Sequence, residues 1–208
     1  MKKTFLIIFI LYIGIAAQED SEKKNILVGG FASIGYGITT GNASEYFNNQ
    51  ILLPLTGDVV YKNLVAQLNL DGGYTTVAKT ITFDDGKRWN EGDNVFSNAF
   101  GINVGYILFN SSDICFTPLI GYAHSYSSKK WWGASDIVEH EPSSNTVNVN
   151  LLLDFKNLFS SNNNNKQYTG LRISAGAYIP FDDPNYPKYF DTDALIYLSV
   201  GIVSLELL

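Results

Sequence analysis

The sequence predicts an all-β fold, a closed eight-stranded antiparallel up-and-down transmembrane β-barrel. Three observations predict it. Eight stretches have strand character over roughly the ten residues that a membrane-crossing strand needs. The connections between them are alternately short and long, as an up-and-down barrel requires. The parity of their apolar positions lets consecutive stretches close into hairpins.

The chain opens MKKTFLIIFILYIGIAAQED, with two lysines, an apolar run from Phe5 to Ile15, and small residues before a polar stretch. That order is expected of a secretory signal peptide, residues 1–17, cut after Ala17. The run falls short of the roughly 20 apolar residues of a helical span. The remainder suits one domain. A single cysteine, Cys115, excludes an internal disulfide framework. With 14 basic against 20 acidic side chains there is no basic stripe, so nucleic acid is not an expected partner. Past the leader no run of 18 apolar residues occurs, yet 46% of the chain is hydrophobic and 14% aromatic. A soluble helical protein would use that composition badly.

The stretches follow in order. The first, 26–38, carries GGFASIGYG with Tyr36 on its oily side. In 51–61 the odd positions are oily (Ile51, Leu53, Leu55, Val59, Tyr61), and in 64–76 the even ones are (Leu64, Ala66, Leu68, Leu70, Tyr74). Tyr61 then stands opposite Leu64 across a two-residue turn, Lys62-Asn63. In 95–109 and 114–127 the even positions are oily (Phe100, Ile102, Val104, Tyr106; Ile114, Phe116, Ile120, Tyr122), which sets Asn110 opposite Ile114. Pro118 falls in mid-strand and offers no N–H, so a bulge or a missing ladder bond is expected there. In 146–159 and 168–181 the odd positions are oily (Val147, Val149, Leu151, Leu153, Phe155; Leu171, Ile173, Ala175, Ala177, Ile179). Ser160 then faces Lys166, and Asp154 falls directly opposite Arg172. The last, 194–207, carries Ile196, Leu198, Val200 and Ile202, but Ser204 and Glu206 break the alternation. A bulge or an exit from the membrane near Val203 is the expected cause.

The second face of these strands collects Asp58, Gln67, Asn69, Asp71, Asn103, Asn148, Asn150, Asp154, Lys156, Arg172, Ser174 and Ser199, with glycines among them. Small and polar residues suit a crowded barrel interior, where an eight-stranded wall leaves room only for side chains. Asp58, Asp71, Asp154, Lys156 and Arg172 are expected to neutralise one another there as a lumen charge network. The oily face carries aliphatic side chains in mid-strand and aromatic ones toward the ends. Tyr36, Tyr74, Tyr122 and Tyr126 lie near the long loops, and Tyr61, Phe109 and Phe159 near the short turns. Aromatic belts at both rims belong to a lipid-embedded barrel, so the oily face is expected to look outward. A lipocalin-like secreted barrel would invert this pattern. A β-sandwich would not alternate its loops in this way.

The Ala-rich end of the leader followed by Gln18, together with GGFASIGYG, NAFGINVGYILFN, TPLIGYAHSY and the paired amphipathic strands, resembles the small eight-stranded outer-membrane β-barrel proteins of bacteria with two membranes. The resemblance covers nearly the whole mature chain. It implies residues 18–25 as a short periplasmic segment and 26–208 as the barrel, with short turns toward the periplasm and mobile loops outside. Outer-membrane lipid and the barrel insertion machinery are the implied partners, the barrel is expected as a monomer, and no periplasmic domain for peptidoglycan attachment is expected after the last strand. Such barrels usually end in an aromatic residue, whereas this chain ends VSLELL.

Little in the sequence points to catalysis. The lipid A deacylases of this architecture use a His-Ser-Glu constellation, and His124, Ser125, Glu139 and Glu141 invite the comparison. Their His-x-Ser spacing is absent, because Tyr126 occupies that place. An interfacial histidine is expected, and no enzyme. The loop FDDPNYPKYFDTD concentrates Asp182, Asp183, Asp191 and Asp193 without the ligand spacing of a calcium motif, so a solvated acidic loop is expected and no metal or cofactor. Trp89, Trp131 and Trp132 are expected to anchor at the outer interface, the last two beside lysines able to meet lipid phosphates. The expected role is structural or loop-mediated binding of an extracellular ligand. A small transporter for apolar solutes and a lipid-modifying enzyme are the alternatives.

Overall fold

The computed structural model describes residues 26–84, 86–129, 142–159, 167–182 and 187–208. Eight long strands build its wall: β1 Ile26–Thr39, β2 Gln50–Tyr61, β3 Leu64–Thr76, β4 Asn94–Tyr106, β5 Ile114–Ser128, β6 Ser143–Phe155, β7 Tyr168–Pro180 and β8 Leu195–Leu207. Each pairs antiparallel with its neighbours in sequence. β1 also pairs with β8, from Leu27–Leu207 to Thr39–Leu195, and the sheet closes into the expected eight-stranded barrel.

The period-2 pattern decides the two faces. Ile34, Leu55, Leu68, Phe100, Ile120 and Leu198 are each more than half exposed on the outside, whereas Asp58, Gln67, Asn103, Asn148, Asp154 and Arg172 are buried inside. The molecule is therefore oily without and polar within, the inverse of a lipocalin.

Two hairpins pair as parity requires. Tyr61 faces Leu64, with Lys62 of the turn in the left-handed region at φ 57°, and Asp154 faces Arg172. Ser160 and Lys166 lie outside the described residues. The β4–β5 hairpin departs from expectation at its tip, where Asn110 pairs with Cys115 and not with Ile114. Its main ladder keeps the expected register down to Gly105–Leu119, and then residues 106–108 are opposed by 117 and 118 alone. This is a bulge at Pro118, which has no N–H to give to β4. The displaced amides stay satisfied: Ile107 N–H donates to Asn63 O at 2.8 Å and Leu108 N–H to Phe116 O at 3.0 Å. On its other side Pro118 pairs regularly with Leu151. Pro54 interrupts β1–β2 in a related way, since that ladder passes from Ala32–Leu55 to Gly35–Leu52, and the Ser33 hydroxyl donates to Pro54 O at 3.4 Å in the gap.

At the end of β8 neither a bulge nor an exit occurs. Pairing with β1 runs unbroken to Leu207 and pairing with β7 to Leu205. Ser204 and Glu206 stay on the outer face, where the Ser204 hydroxyl pairs with that of Thr169 at 3.1 Å. Val203 and Leu205 turn inward onto Leu27, Phe31, Val60 and Leu152. The alternation fails in the sequence because the lumen itself changes character: it is polar at mid-height and apolar at the turn end.

The long loops are also built. Phe47 of the first, Val77, Ile81, Phe83 and Trp89 of the second and Phe190 of the fourth form an apolar cluster above the barrel, supported by a two-residue hairpin, Ile81–Thr82 with Arg88–Trp89. Trp89 is 4% exposed. It is a core residue of this cap and not the interface anchor expected of it, because Phe83 and Phe190 pack edge-on against its ring at 5.5 Å each. These segments pack together into a cap over the loop end.

Candidate functional site

The lumen is the candidate site, and hairpin parity builds its centre. Asp154 and Arg172 are cross-strand partners on the inward face. Arg172 Nε–H donates to Asp154 Oδ1 at 2.6 Å and Nη2–H to Oδ2 at 2.9 Å, a bidentate fork. Nη1–H crosses the barrel to Asp58 Oδ2 on β2 at 2.5 Å. Gly201, its partner on β8, lets β1 approach closely beside it, since a Cβ there would stand 2.0 Å from the Ala32 carbonyl oxygen. The Phe31 ring lies 5.3 Å beneath it. The network continues sideways: Gln67 donates to Asp58 Oδ1 at 2.9 Å, and Asn103 donates to Gln67 Oε1 at 3.1 Å and to Asn69 Oδ1 at 3.2 Å. Tyr168 completes Asp154 by donating its hydroxyl to Oδ2.

The structure thus gathers Asp58, Asp154 and Arg172 into one layer and places the other two lumen charges at either end. Lys156 turns toward the β4–β5 tip, donating to Asn110 Oδ1 and to Ser111 O at 2.8 Å, with Nζ 5.3 Å from the Tyr168 ring centre. Asp71 sits toward the loop end and accepts a hydrogen bond from Tyr178, whose ring stacks on Tyr197 at 5.4 Å. Tyr168, Tyr178 and Tyr197 are lumen residues that strand parity alone would have placed inward, since each lies on the polar face of its strand. Below the charged layer a cavity of about 290 Å³ is lined by Leu27, Val60, Ile107, Leu205, Cys115 and Lys156 among others. Above it a second cavity of about 120 Å³ lies beneath the loop cap.

On the outer face Tyr36, Tyr61, Tyr74 and Tyr122 are exposed, and Tyr126 is partly covered. Cross-strand pairing sets Tyr36, Tyr74 and Phe96 at one level and Tyr61 with Tyr106 at the other. Trp131 and Trp132 lie outside the described residues, as does the leader. His124 is exposed, with Nδ1 3.2 Å from Asn145 Oδ1. Asp182 fixes that amide, accepting its side-chain N–H and, at 2.6 Å, the Asn145 backbone N–H. Ser125 points to the opposite side and bonds Ser144 at 3.0 Å, so His124 and Ser125 cannot act as a pair. Among the described residues no group of three or more His, Cys, Asp or Glu side chains could hold a metal ion. At the cap, Lys129 donates to Asp93 at 2.6 Å and holds that carboxyl below the ordinary carboxylate value.

Neisserial surface protein A is a solved structure similar to this chain, with a TM-score of 0.53 at 9% identity over 88% of this chain and 97% of that one. The fold is that of a small outer-membrane β-barrel. Such a barrel is also seen in the attachment invasion locus protein of Yersinia pestis, solved with the heparin analogue sucrose octasulfate, at a TM-score of 0.49 and 9% identity over 87% of this chain and 97% of that one. The N-terminal β-barrel domain of Pseudomonas aeruginosa OprF gives a TM-score of 0.46 and 12% identity over 86% and 98%. No protein-family model and no curated protein matches the chain.

Proposed function

We propose that the protein is an integral outer-membrane barrel, exported by its leader and placed by the barrel insertion machinery as a monomer in lipid. Its role would be structural or one of surface binding through the capped loop end. The observation that carries this reading is the continuous oily outer face, with tyrosines at two levels, around a buried Arg–Asp layer. Water would not tolerate that exterior and lipid would not tolerate that interior turned outward. Membrane fractionation with gel electrophoresis tests it. The protein should sediment with outer membranes and run as a faster band until boiled, and a single unshifted band in the soluble periplasmic fraction would refute it.

Transport of apolar solutes draws support from the lower cavity, but the Arg172 layer lies between that cavity and the outer one. Passage would need the ion pairs to part, and single-channel recording tests this. Lipid modification draws no support from His124, whose neighbouring serine faces the other way, and lipid A mass analysis is its test.

A further inference from the structure

The outer cavity contains a carboxylate whose surroundings differ from those of every other lumen carboxylate. Asp58 and Asp154 share the Arg172 guanidinium, and each receives a further hydrogen bond, from Gln67 and Tyr168 respectively. Asp71 receives only the Tyr178 hydroxyl on Oδ2, while its Oδ1 is buried with no hydrogen-bond partner. Among the described residues lining the cavity, Asp71 is the one charged side chain, and none is basic. A buried carboxylate oxygen without a donor is a costly arrangement, and a cavity beside it gives a donor somewhere to sit.

The rest of the lining indicates which donor. Two residues along β3 on the same face, Gly73 leaves space for Ser97 and Gln50, since a Cβ there would stand 2.1 Å from Ser97 Oγ and 3.0 Å from Gln50 Oε1. Those two side chains bond each other at 2.7 Å and add neutral oxygens to the cup. Leu52, Pro54 and Leu195 supply hydrocarbon walls. One carboxylate among neutral oxygens does not make the six to eight oxygen ligands, several of them anionic, that calcium takes, and it matches a single positive charge. A volume of about 120 Å³ is several times the roughly 10–15 Å³ that a single water needs, room enough for an ammonium group on a short aliphatic chain.

We propose that the outer cup of the lumen binds a small primary ammonium compound, its cationic head on Asp71 Oδ1 and its tail against Leu52, Pro54 and Leu195. The site depends on the barrel's interior and not on where the barrel resides, so it stands or falls separately from the proposed location.

Calorimetric titration of the full-length folded protein in detergent with n-butylammonium, and with n-butanol as its uncharged counterpart, tests the proposal. Saturable binding of butylammonium with none of butanol is expected, and Asp71→Asn, which keeps an acceptor for Tyr178, should weaken it at least tenfold. Ala99→Leu, which fills the cup from β4 and leaves Asp71 in place, should abolish it; this second variant carries the test if Asp71→Asn does not fold. Equal affinity for butanol, unchanged binding in either folded variant, or no saturable binding to the wild type at millimolar butylammonium would overturn the proposal.

Discussion

Arg172 holds Asp58 at 2.5 Å although the two residues are 114 positions apart in the chain. The same guanidinium grips Asp154 on the adjacent strand, so three charges from β2, β6 and β7 form one cross-brace inside the barrel. Removing the cation leaves two buried carboxylates facing each other with only neutral donors. Arg172→Ala is therefore expected to lower the free energy of unfolding by about 3–5 kcal/mol, the range for breaking a buried ion pair. Urea titration in detergent micelles reads this. The triple replacement Asp58→Asn, Asp154→Asn, Arg172→Met should recover most of the loss, because it leaves no unpaired charge.

The brace also predicts electrical silence. Phe31, Gln67, Asn69 and Asn103 fill the section around Arg172, as expected of an interior with room only for side chains. Planar bilayers carrying the wild-type protein should show no steady single-channel current.

Cys115 is buried at 4% exposure beside the lower cavity. A maleimide carrying a polyethylene glycol tail should leave it unmodified in the folded barrel and shift the band completely after boiling in detergent.

The cap should be separable from the wall. Trp89→Ala removes the ring that Phe47, Phe83 and Phe190 pack against and should make the second loop sensitive to protease within minutes. The heat-dependent gel shift of the barrel should be unchanged, because no wall ladder depends on Trp89.

The cap also carries a pH-dependent contact. Lys129 lowers the Asp93 carboxyl chiefly by hydrogen bonding to it. Folding thus lowers this pKa, and the contact stabilises the cap above the ordinary carboxylate value of about 3.9 and is lost as the pH falls through the lowered one. Carbonyl-carbon NMR should place the Asp93 midpoint below that of a free aspartate, and Lys129→Met should return it upward. Salt should weaken the effect, since the pair is partly exposed.

What the sequence could disclose follows from how local each feature is. The Asp154–Arg172 pairing is legible because two flanking strands share one parity. Asp58 reaches the same guanidinium only after the wall has closed and staggered, and nothing near Asp58 in the chain records that stagger. Pro118 announces its bulge because it lacks an amide, and it also moves the Asn110 contact by one residue, which parity counted from the turn does not register. Val203 and Leu205 look like a broken pattern because the pattern assumes one lumen chemistry from end to end. The aromatic cap draws Phe47, Trp89 and Phe190 from three loops and leaves no periodic trace in any of them.

The seam between β1 and β8 joins the two ends of the barrel sequence, so it is the contact of greatest sequence separation and belongs to the slow part of folding. Along most of the wall, zipping a seam changes little in the exposure of the oily outer face. Near the turn end, however, closure brings Leu27 and Phe31 of one edge against Val203 and Leu205 of the other. While the cylinder is open, water can wet those four side chains from inside, and when it shuts that water must leave. Closure of this seam is thus favoured by dehydration within the cylinder, a force that acts on its inner face and owes nothing to what surrounds the outer one.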